Sequence, residues 1–275
     1  MSLKSKLSLA LDQTLIAQYL TQADVLAAER LHIFDEIDST NRFLLNWPDI
    51  DTLNGRVCLA EHQTAGRGRR GKEWRDSPGG SVMLSIAWTV DSIDSLGGLS
   101  LCVGVAIVRA LQNAGIENVQ LKWPNDILCN ERKLGGILVE TTKKNSEALR
   151  VVVGMGLNVR LNEDHATAID QPWIGLAEIQ QQNVIEWCDR NRLAANIIVQ
   201  LDKMFAQFSS HGFVLFRDEW SKYHAYQSRP VEIKNDNQSY HGIAIGVDEV
   251  GALQVRIDDG ELKTVNSGEV SVRLV

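Results

Sequence analysis

The spacing of hydrophobic residues changes several times along the chain, and it predicts a short helical segment at the start. Apolar residues recur every three to four positions between residues 7 and 30, as on one face of a helix. This segment is too short for a complete winged helix-turn-helix, which takes roughly 55 to 60 residues. A short strand is predicted at residues 32–37, and a helix follows from Phe43 to Trp47 with Ser39 or Thr40 as its cap.

The middle of the chain alternates between strand patterns and helix patterns. Residues 99–114 are apolar nearly all round, which predicts a buried helix that ends at Gly115. Residues 192–211 form an amphipathic pattern, and residues 213–223 predict one more helix. The predicted strands are residues 56–61, 82–90, 119–123, 126–129, 134–140 and 149–159, and the fourth and fifth of these are expected to pair as a hairpin.

The pattern changes again near Ser228. Short strands separated by Asn, Asp and Gly turns follow, which is typical of a small barrel. They are predicted at residues 230–233, 241–247, 252–257, 263–265 and 270–274. We therefore divide the chain into a helical segment, residues 1–30, a main domain, residues 31–228, and a small C-terminal domain, residues 229–275.

The composition is that of a folded globular protein, with 44% hydrophobic and 23% charged residues. The net charge of -7 predicts repulsion from nucleic acid and from anionic lipid. The start of the chain fits neither a secretory signal nor a membrane span, so we expect a cytoplasmic protein that binds neither DNA nor membranes. Buried free thiols are expected at the four cysteines, which lack metal-ligand spacing: Cys58, Cys102, Cys129 and Cys188.

Positive charge is nevertheless concentrated in residues 66–74, with the sequence GRGRRGKEW. This stretch, the glycine–arginine loop, matches a dinucleotide fingerprint and the start of a P-loop. The dinucleotide fingerprint must open a helix, and Pro78 with the two glycines after it makes a helix here unfavourable. A P-loop needs Ser or Thr after its Lys, and this chain has Glu73 at that position. What remains is a loop whose glycines allow close backbone approach and whose arginines can bind carboxylate or phosphate. Three glycines and a Trp weigh against the alternative of an ordinary solvated loop.

Five motifs occur in the order and spacing of one family. Any one of them could arise by chance, whereas five in register are highly specific. From about Phe34 to the C-terminus, the chain resembles the biotin–protein ligase family. The motifs are Ser39-Thr40-Asn41, Gln63 with Gly66-Arg67-Gly68-Arg69-Arg70-Gly71, Lys122-Trp123-Pro124-Asn125-Asp126, Lys133-Leu134-Gly135-Gly136-Ile137-Leu138-Val139-Glu140, and Gly154-Met155-Gly156-Leu157-Asn158.

The resemblance implies an α+β fold with a mixed central sheet and flanking helices, like that of class II aminoacyl-tRNA synthetases, and an SH3-like C-terminal barrel. It implies that biotin and ATP form biotinyl-5'-adenylate and pyrophosphate. Biotin then passes to one lysine of the biotin carboxyl carrier protein of acetyl-CoA carboxylase. Mg²⁺ is expected with ATP rather than at a permanent protein site, with Asp126 as a candidate contact.

The resemblance also implies which residues contact biotin. Biotin combines a neutral ureido bicycle with an anionic tail, so its ring needs a few fixed donors and acceptors and its carboxylate needs cations. The implied biotin-binding residues are Ser39, Thr40, Asn41, Gln63, Gly66, Arg67, Gly68, Arg69, Lys133, Gly135, Gly136, Gly154 and Gly156.

Nucleotide binding and catalysis are assigned on the same resemblance. Lys133 would offset the charge that develops as the biotin carboxylate attacks the α-phosphorus, and Asp126 would accept a proton from the carrier lysine. The implied ATP-binding residues are Arg69, Arg70, Trp74, Asn125, Lys133, Asn158, Glu269 and Arg273. The implied catalytic residues are Lys133, Arg67, Arg69, Lys122 and Asp126.

Several alternatives stay open. A structural salt bridge competes with the functional interpretation of Lys122 and Asp126, and core packing competes with adenine stacking at Trp74. A lipoate–protein ligase or octanoyl transferase shares the fold but lacks the glycine–arginine loop. A non-catalytic biotin-sensing or carrier-binding module is disfavoured by the intact lysines and Asp126. About thirty residues precede the main domain, so we expect ligase activity without operator binding; a homodimer is left open.

Overall fold

The structure is a computed structural model that describes residues 10–143, 148–160, 171–183, 189–235, 238–268 and 270–275. Its helices are α1 (Gln13–Gln22), α2 (Thr40–Leu45), α3 (Leu99–Asn113), α4 (Leu176–Asn183), α5 (Arg190–His211) and α6 (Arg217–Tyr223). Its strands are β1 (Leu31–Ile37), β2 (Arg56–Gln63), β3 (Ser81–Val90), β4 (Val119–Lys122), β5 (Asp126–Cys129), β6 (Arg132–Thr142), β7 (Leu149–Asn158), β8 (Pro230–Lys234), β9 (Ser239–Val247), β10 (Leu253–Arg256), β11 (Leu262–Val265) and β12 (Ser271–Leu274).

The first seven strands form one sheet in the order β1-β2-β3-β7-β6-β5-β4. β1 and β2 run parallel, and the other neighbouring pairs are antiparallel. The predicted hairpin is present as β5 and β6, with Asp126 opposite Gly136. This arrangement confirms the predicted α+β class with a mixed central sheet.

Both faces of the central strands are covered. The alternation in β3 predicted one apolar face, whereas every residue from Ser81 to Trp88 is buried. The reason is that α2 packs on one face of the sheet and α3 with α5 on the other, so the strand has no solvent side. The ring of Trp88 stacks on Phe205 of α5 with a centroid distance of 4.0 Å, which fastens α5 to the sheet.

The helix α3 is the core helix that its sequence predicted. By length and composition alone, Ile93–Asn113 could cross a membrane, but 56% of its most apolar window is buried inside the protein. Burial in a sheet-and-helix core accounts for that apolar character. Cys58, Cys102 and Cys129 are buried free thiols, as predicted, and burial raises the pKa of each of them. Cys188 lies outside the described residues.

The last five strands form an antiparallel sheet in the order β11-β10-β9-β8-β12, which confirms the predicted small C-terminal domain fold. This sheet contacts the main domain close to the motifs. The indole of Trp123 donates a hydrogen bond of 3.0 Å to the carbonyl of Gly251. The guanidinium of Arg69 donates one of 2.9 Å to the carbonyl of Gly268. The C-terminal domain therefore closes one side of the region that carries the glycine–arginine loop.

Two helix predictions need correction, and the helical segment at the start of the chain is resolved into two parts. The helix predicted from Phe43 starts earlier, at Thr40, because the Ser39 hydroxyl accepts a hydrogen bond from the backbone N–H of Arg42. The helix predicted at 213–223 is divided into a 3-10 turn, Phe213–Leu215, and α6. The first segment contains α1 and a separate 3-10 turn, Leu26–Arg30, and its first nine residues lie outside the described part.

Candidate active site

A cavity of about 530 Å³ lies between the central sheet, the glycine–arginine loop and β12 of the C-terminal sheet. Most of the residues that the sequence assigned to biotin, to ATP or to catalysis line it. They are Ser39, Thr40, Asn41, Gln63, Arg67, Gly68, Arg69, Arg70, Trp74, Lys122, Asn125, Asp126, Lys133, Gly136, Gly154, Gly156, Asn158 and Arg273. Motifs that are far apart in the sequence thus meet around one volume.

Among the described residues that were assigned to biotin or ATP, Gly66 and Gly135 do not line this wall. Gly66 closes the base of the glycine–arginine loop: its carbonyl accepts from the N–H of Trp74 at 3.0 Å, and a Cβ there would lie 2.5 Å from the Trp74 carbonyl. Gly135 faces away from Gly136, and its Cβ would lie 2.6 Å from the carbonyl of Gly156. Both glycines serve close backbone packing in this structure. Glu269 lies outside the described residues.

One end of the cavity carries uncharged polar groups that hydrogen-bond to one another. The backbone N–H and the hydroxyl of Thr40 both donate to Gln63 Oε1, at 2.8 and 3.0 Å. The hydroxyl of Ser85 lies 2.7 Å from Thr40 Oγ1 and 2.6 Å from Asn41 Oδ1. Ser39, Thr40 and Asn41 are all buried here, so their orientations are fixed by the fold.

Glycines in β7 form the floor beside this end. A Cβ on Gly154 would lie 2.2 Å from Asn41 Oδ1, and one on Gly156 would lie 2.3 Å from the Trp74 ring. Real Cβ atoms do not approach other atoms so closely, so only glycine admits these side chains against the strand. The Trp74 ring therefore packs directly against the backbone of β7. It also lies close to Lys133, whose Nζ is 5.8 Å from the ring centroid.

The glycine–arginine loop is a tight turn. It does not begin an α-helix, which agrees with the prediction from its sequence context. Arg67 pairs with Glu73 in an isolated bridge, and the N–H of Gly68 donates to the carbonyl of Lys72 at 2.7 Å. Arg70 and Gly71 have positive φ angles of 59° and 69°, which turn the chain back. The loop thereby aims Arg67 and Arg69 at the cavity.

The other end of the cavity is charged. Asp126 Oδ1 lies 2.7 Å from Lys133 Nζ, and its Oδ2 lies 3.7 Å from Lys122 Nζ. Burial lowers the pKa of Lys122, and the charges of Lys133 and Arg273 lower it further while Asp126 opposes them. The structural interpretation of Lys122 and Asp126 and the functional one are thus compatible, because the ion pair exists and faces the cavity.

Arg69 connects the loop to both domains at this end. Its Nη1 donates to Asn125 Oδ1 at 3.3 Å, and its Nη2 reaches Gly268 in the C-terminal domain. Burial lowers the pKa of Arg69, and the neighbouring Asp126 opposes that shift. An arginine remains charged under such shifts, so Arg69 supplies a fixed positive donor at the mouth of the loop.

Sequence reasoning missed several residues of this site. Ser85 is a polar residue inside the apolar run of β3, which is a sequence signal for a buried polar role. Glu140 is the last residue of the motif that begins at Lys133, and the sequence assigned no role to it. Gln171 and Trp173 also line the cavity. Their placement comes from backbone pairing, since the N–H of Lys133 donates to the carbonyl of Pro172 at 2.8 Å. No sequence pattern predicts the pairing of Lys133 with Pro172.

The described residues offer few groups for a metal ion. They contain no cluster of three or more His, Cys, Asp or Glu side chains that could hold an ion. Both oxygens of Asp126 already face lysine ammonium groups. These two lysine contacts make Asp126 a poor ligand for a resident metal ion.

Comparison with known proteins places this geometry in a family. The Biotin/lipoate A/B protein ligase family matches residues 33–158, and the Biotin protein ligase C terminal domain matches residues 229–273. The second match covers the strands β8 to β12 of the C-terminal sheet.

Individual relatives agree with the family match. The chain is 36% identical over 238 residues to the bifunctional ligase/repressor BirA of Escherichia coli, covering 86% of this chain and 72% of that protein. It is 31% identical to the biotin–[acetyl-CoA-carboxylase] ligase of Mycobacterium tuberculosis, covering 88% of each. The biotin protein ligase of Aquifex aeolicus, solved with biotin and ATP, superposes with a TM-score of 0.76 at 25% identity, covering 90% of this chain and all of that one. The chain belongs to the biotin protein ligase family.

Proposed function

We propose that the protein is an ATP-dependent biotin–protein ligase. It joins biotin to ATP, forms biotinyl-5'-adenylate with release of pyrophosphate, and passes biotin to a lysine of the biotin carboxyl carrier protein of acetyl-CoA carboxylase. The observation that carries this proposal is the single cavity with an uncharged, hydrogen-bonded end and an end where Lys133 and Lys122 share Asp126. The neutral ring of biotin is complementary to the uncharged end, and the anionic tail of biotin and the polyphosphate of ATP are complementary to the charged end.

Biotin would lie with its ureido ring at the uncharged end. There Ser39, Thr40 and Asn41 offer buried hydroxyl and amide groups, and the half-buried Gln63 adds a second amide. Such groups recognise a neutral polar ring without the cost of burying a charge. The valerate tail would run over the glycine floor of β7 toward Lys133.

Adenylation follows from the charged end. The biotin carboxylate oxygen attacks the α-phosphorus of ATP, the bond to the β-phosphate oxygen breaks, and pyrophosphate leaves with that electron pair. Lys133 and Arg69, which both line the cavity, offset the negative charge that builds up on the phosphoryl oxygens. Arg70, Asn125, Asn158 and Arg273 line the same volume and are proposed to hold the nucleotide.

Transfer needs a base and a leaving group. The amine of the carrier lysine attacks the carbonyl carbon of the adenylate, AMP leaves, and the amine proton moves to an acceptor. Asp126 is the carboxylate at this place, and Lys133 beside it can neutralise the departing AMP phosphate. Mg²⁺ is proposed to arrive with ATP, where it screens the triphosphate.

The residues outside the cavity wall and the remaining assignments are also proposals. Contacts of Gly66 and Gly135 with biotin are less favoured than their packing roles, and a nucleotide contact of Glu269 stays a prediction. We propose residues 31–228 and 229–275 as the two main domains. A cytoplasmic location is proposed from the composition, and a homodimer and the absence of DNA binding stay predictions.

The test uses purified protein, MgATP, a biotin carboxyl carrier domain and either biotin or lipoate. We expect pyrophosphate release and a biotin-sized mass increase of the carrier only with biotin. Replacing the acceptor lysine of the carrier by Arg should abolish the mass increase while leaving pyrophosphate release. Modification with lipoate and not with biotin would contradict the proposal, because it would favour the lipoate branch of the family.

A further inference from the structure

Glu140 occupies a position that joins two parts of the cavity wall. It lies on β6, where it pairs with Val152 of β7, and its side chain is 24% exposed. Its Oε1 lies 2.9 Å from Arg67 Nη1, and its Oε2 accepts a hydrogen bond of 2.8 Å from Asn41 Nδ2. One carboxylate therefore holds a residue of α2 with one oxygen and a residue of the glycine–arginine loop with the other.

The bond to Asn41 sets the orientation of its amide. A carboxylate only accepts hydrogen bonds, so the Asn41 NH₂ group must face Glu140. The amide oxygen then faces Ser85, whose hydroxyl lies 2.6 Å away. Through Ser85 this orientation reaches Thr40 and the uncharged end of the cavity. The Leu138 carbonyl also accepts from Asn41 Nδ2, at 3.4 Å, and the shorter bond to Glu140 reinforces the same orientation, with the amide oxygen toward the glycine floor.

The bond to Arg67 leaves part of that side chain unsatisfied. Its Nε and Nη2 are buried and have no hydrogen-bond partner within the described part of the chain. Buried donors are usually paired, so two such nitrogens in one side chain on a cavity wall point to an acceptor supplied by a ligand. The salt bridge to Glu140 keeps the guanidinium in place with these two nitrogens available.

We propose that Glu140 is a positioning residue for the biotin site. It holds Asn41 and Arg67 as one unit, so that the orientation of the ring-binding amide and the placement of the glycine–arginine loop depend on the same carboxylate. Glu140 contacts neither reacting atoms nor nucleotide in this scheme; it acts through Asn41 and Arg67. The inference rests on the proposed biotin-binding function.

Two substitutions separate the two bonds. In Glu140→Gln, the amide carbonyl can still accept from Asn41, but the NH₂ group then faces Arg67 and the tie to the loop is lost. Glu140→Ala removes both bonds. We expect the KM for biotin to rise about 10-fold in Glu140→Gln and about 100-fold in Glu140→Ala, as charge-assisted hydrogen bonds of this kind suggest. The KM for ATP and the kcat at saturating biotin should change by less than about threefold.

Glu219→Gln is the matched control. The Arg109–Glu219 pair has side-chain exposures of 31% and 27%, close to the 32% and 24% of the Arg67–Glu140 pair, but it joins α3 to α6 away from the cavity. This control should leave the KM for biotin unchanged. In an Arg67→Ala background, Glu140→Gln should add less than about twofold, because the bond it breaks is already absent.

The outcomes are distinct. Direct titration of the parent protein with biotin is done first, and failure to bind would overturn the proposed function and this inference together. If the parent binds biotin and both folded Glu140 variants keep its KM, or if Glu219→Gln raises the KM equally, Glu140 has no positioning role. Thermal unfolding checks folding of each variant; should Glu140→Ala be unfolded, the near-isosteric Glu140→Gln and the Arg67 background decide.

Discussion

The two ends of the cavity are built on opposite principles. At the uncharged end, Thr40, Gln63 and Ser85 satisfy one another through hydrogen bonds of 2.7 to 3.0 Å. At the charged end, Lys133 and Lys122 share the single carboxylate of Asp126. The polar groups of the first end are therefore held in place before a ligand arrives, whereas the second end has more positive than negative charge.

This difference indicates that the uncharged end selects the ligand and that the charged end promotes the reaction. A preorganised neutral site selects a ligand by shape and by the direction of its hydrogen bonds. Excess cations stabilise charge that appears during a reaction, and their effect is largest in a transition state. Substitutions at the uncharged end should change biotin affinity, and those at the charged end should change the rate. The predictions below test that separation.

Lys133→Ala should have the largest effect. We expect adenylate formation at saturating biotin to fall roughly 100- to 1000-fold, because a cation beside the developing phosphoryl charge is lost. The biotin Kd should change by less than about tenfold, since the ring contacts lie elsewhere. Single-turnover pyrophosphate release and calorimetric titration measure the two quantities.

The control for this prediction is Lys263→Ala, a lysine on the C-terminal sheet whose Nζ lies 5.1 Å from the Tyr240 ring centroid. It should leave both quantities unchanged. If Lys133→Ala weakened biotin binding by as much as it slowed the reaction, the two ends would not be separate.

Gly156→Ala should weaken biotin binding by about 10- to 100-fold, because the new methyl group would come within 2.3 Å of the Trp74 ring and displace it. Gly136→Ala is the matched comparison across the strand pair, since its methyl group would lie 3.4 Å from Trp74, an ordinary contact. Titration with biotin compares the two. Equal affinities in both variants would show that the floor beneath Trp74 tolerates a side chain.

Arg69→Ala should release free biotinyl-5'-adenylate about tenfold faster while retaining the fold, because the loop loses its bonds to Asn125 and Gly268. Chromatography of the unbound adenylate after reaction in the absence of a carrier measures the release. Arg256→Ala, an exposed position on β10, is the control. A variant that retains the intermediate as tightly as the parent would show that the bonds of Arg69 do not hold the adenylate in the cavity.

The pH dependence should be the smallest effect and should be confined to the charged end. Burial lowers the pKa of Lys122, so this lysine loses its proton at a lower pH than an exposed lysine does. Adenylation should therefore decline on the alkaline side before pH reaches about 10.4, the ordinary lysine value. Lys122→Arg should move that decline to higher pH, because arginine stays protonated.

Biotin affinity provides the internal comparison for this pH profile. The groups at the uncharged end do not titrate over that range, so the biotin Kd should stay level where the rate declines. The lowered pKa of Lys122 also affects stability. Because its pKa is lower in the folded than in the unfolded state, the free energy of unfolding should rise as pH increases between these two pKa values. An adenylation rate that follows the same profile in Lys122→Arg would rule out Lys122 as its cause.

Much of the fold followed from local pattern. The alternation in β3, the apolar surface of α3 and the hairpin of β5 and β6 were all visible because period and burial are set by nearby residues. The strands of the C-terminal sheet were visible in the turn residues that separate them. The apolar residues predict a start of α2 at Phe43, whereas the cap at Ser39 starts the helix at Thr40.

The site was predictable to a different degree. Motif residues were found because glycines and cations at fixed spacing are rare together, and most of them line the cavity. The role of Glu140 and the contact of Lys133 with Pro172 depend on tertiary pairing across long separations, which no local pattern encodes. Gly66 and Gly135 show the converse, because a motif glycine can serve backbone packing as well as ligand approach.

Isotope exchange between pyrophosphate and ATP tests the central claim most directly, because it requires biotin activation at this cavity and no carrier. We predict exchange that depends on biotin and not on lipoate, and that nearly disappears in Lys133→Ala although this variant still binds biotin. Exchange supported by lipoate alone, or exchange at the parent rate in Lys133→Ala, would contradict the account.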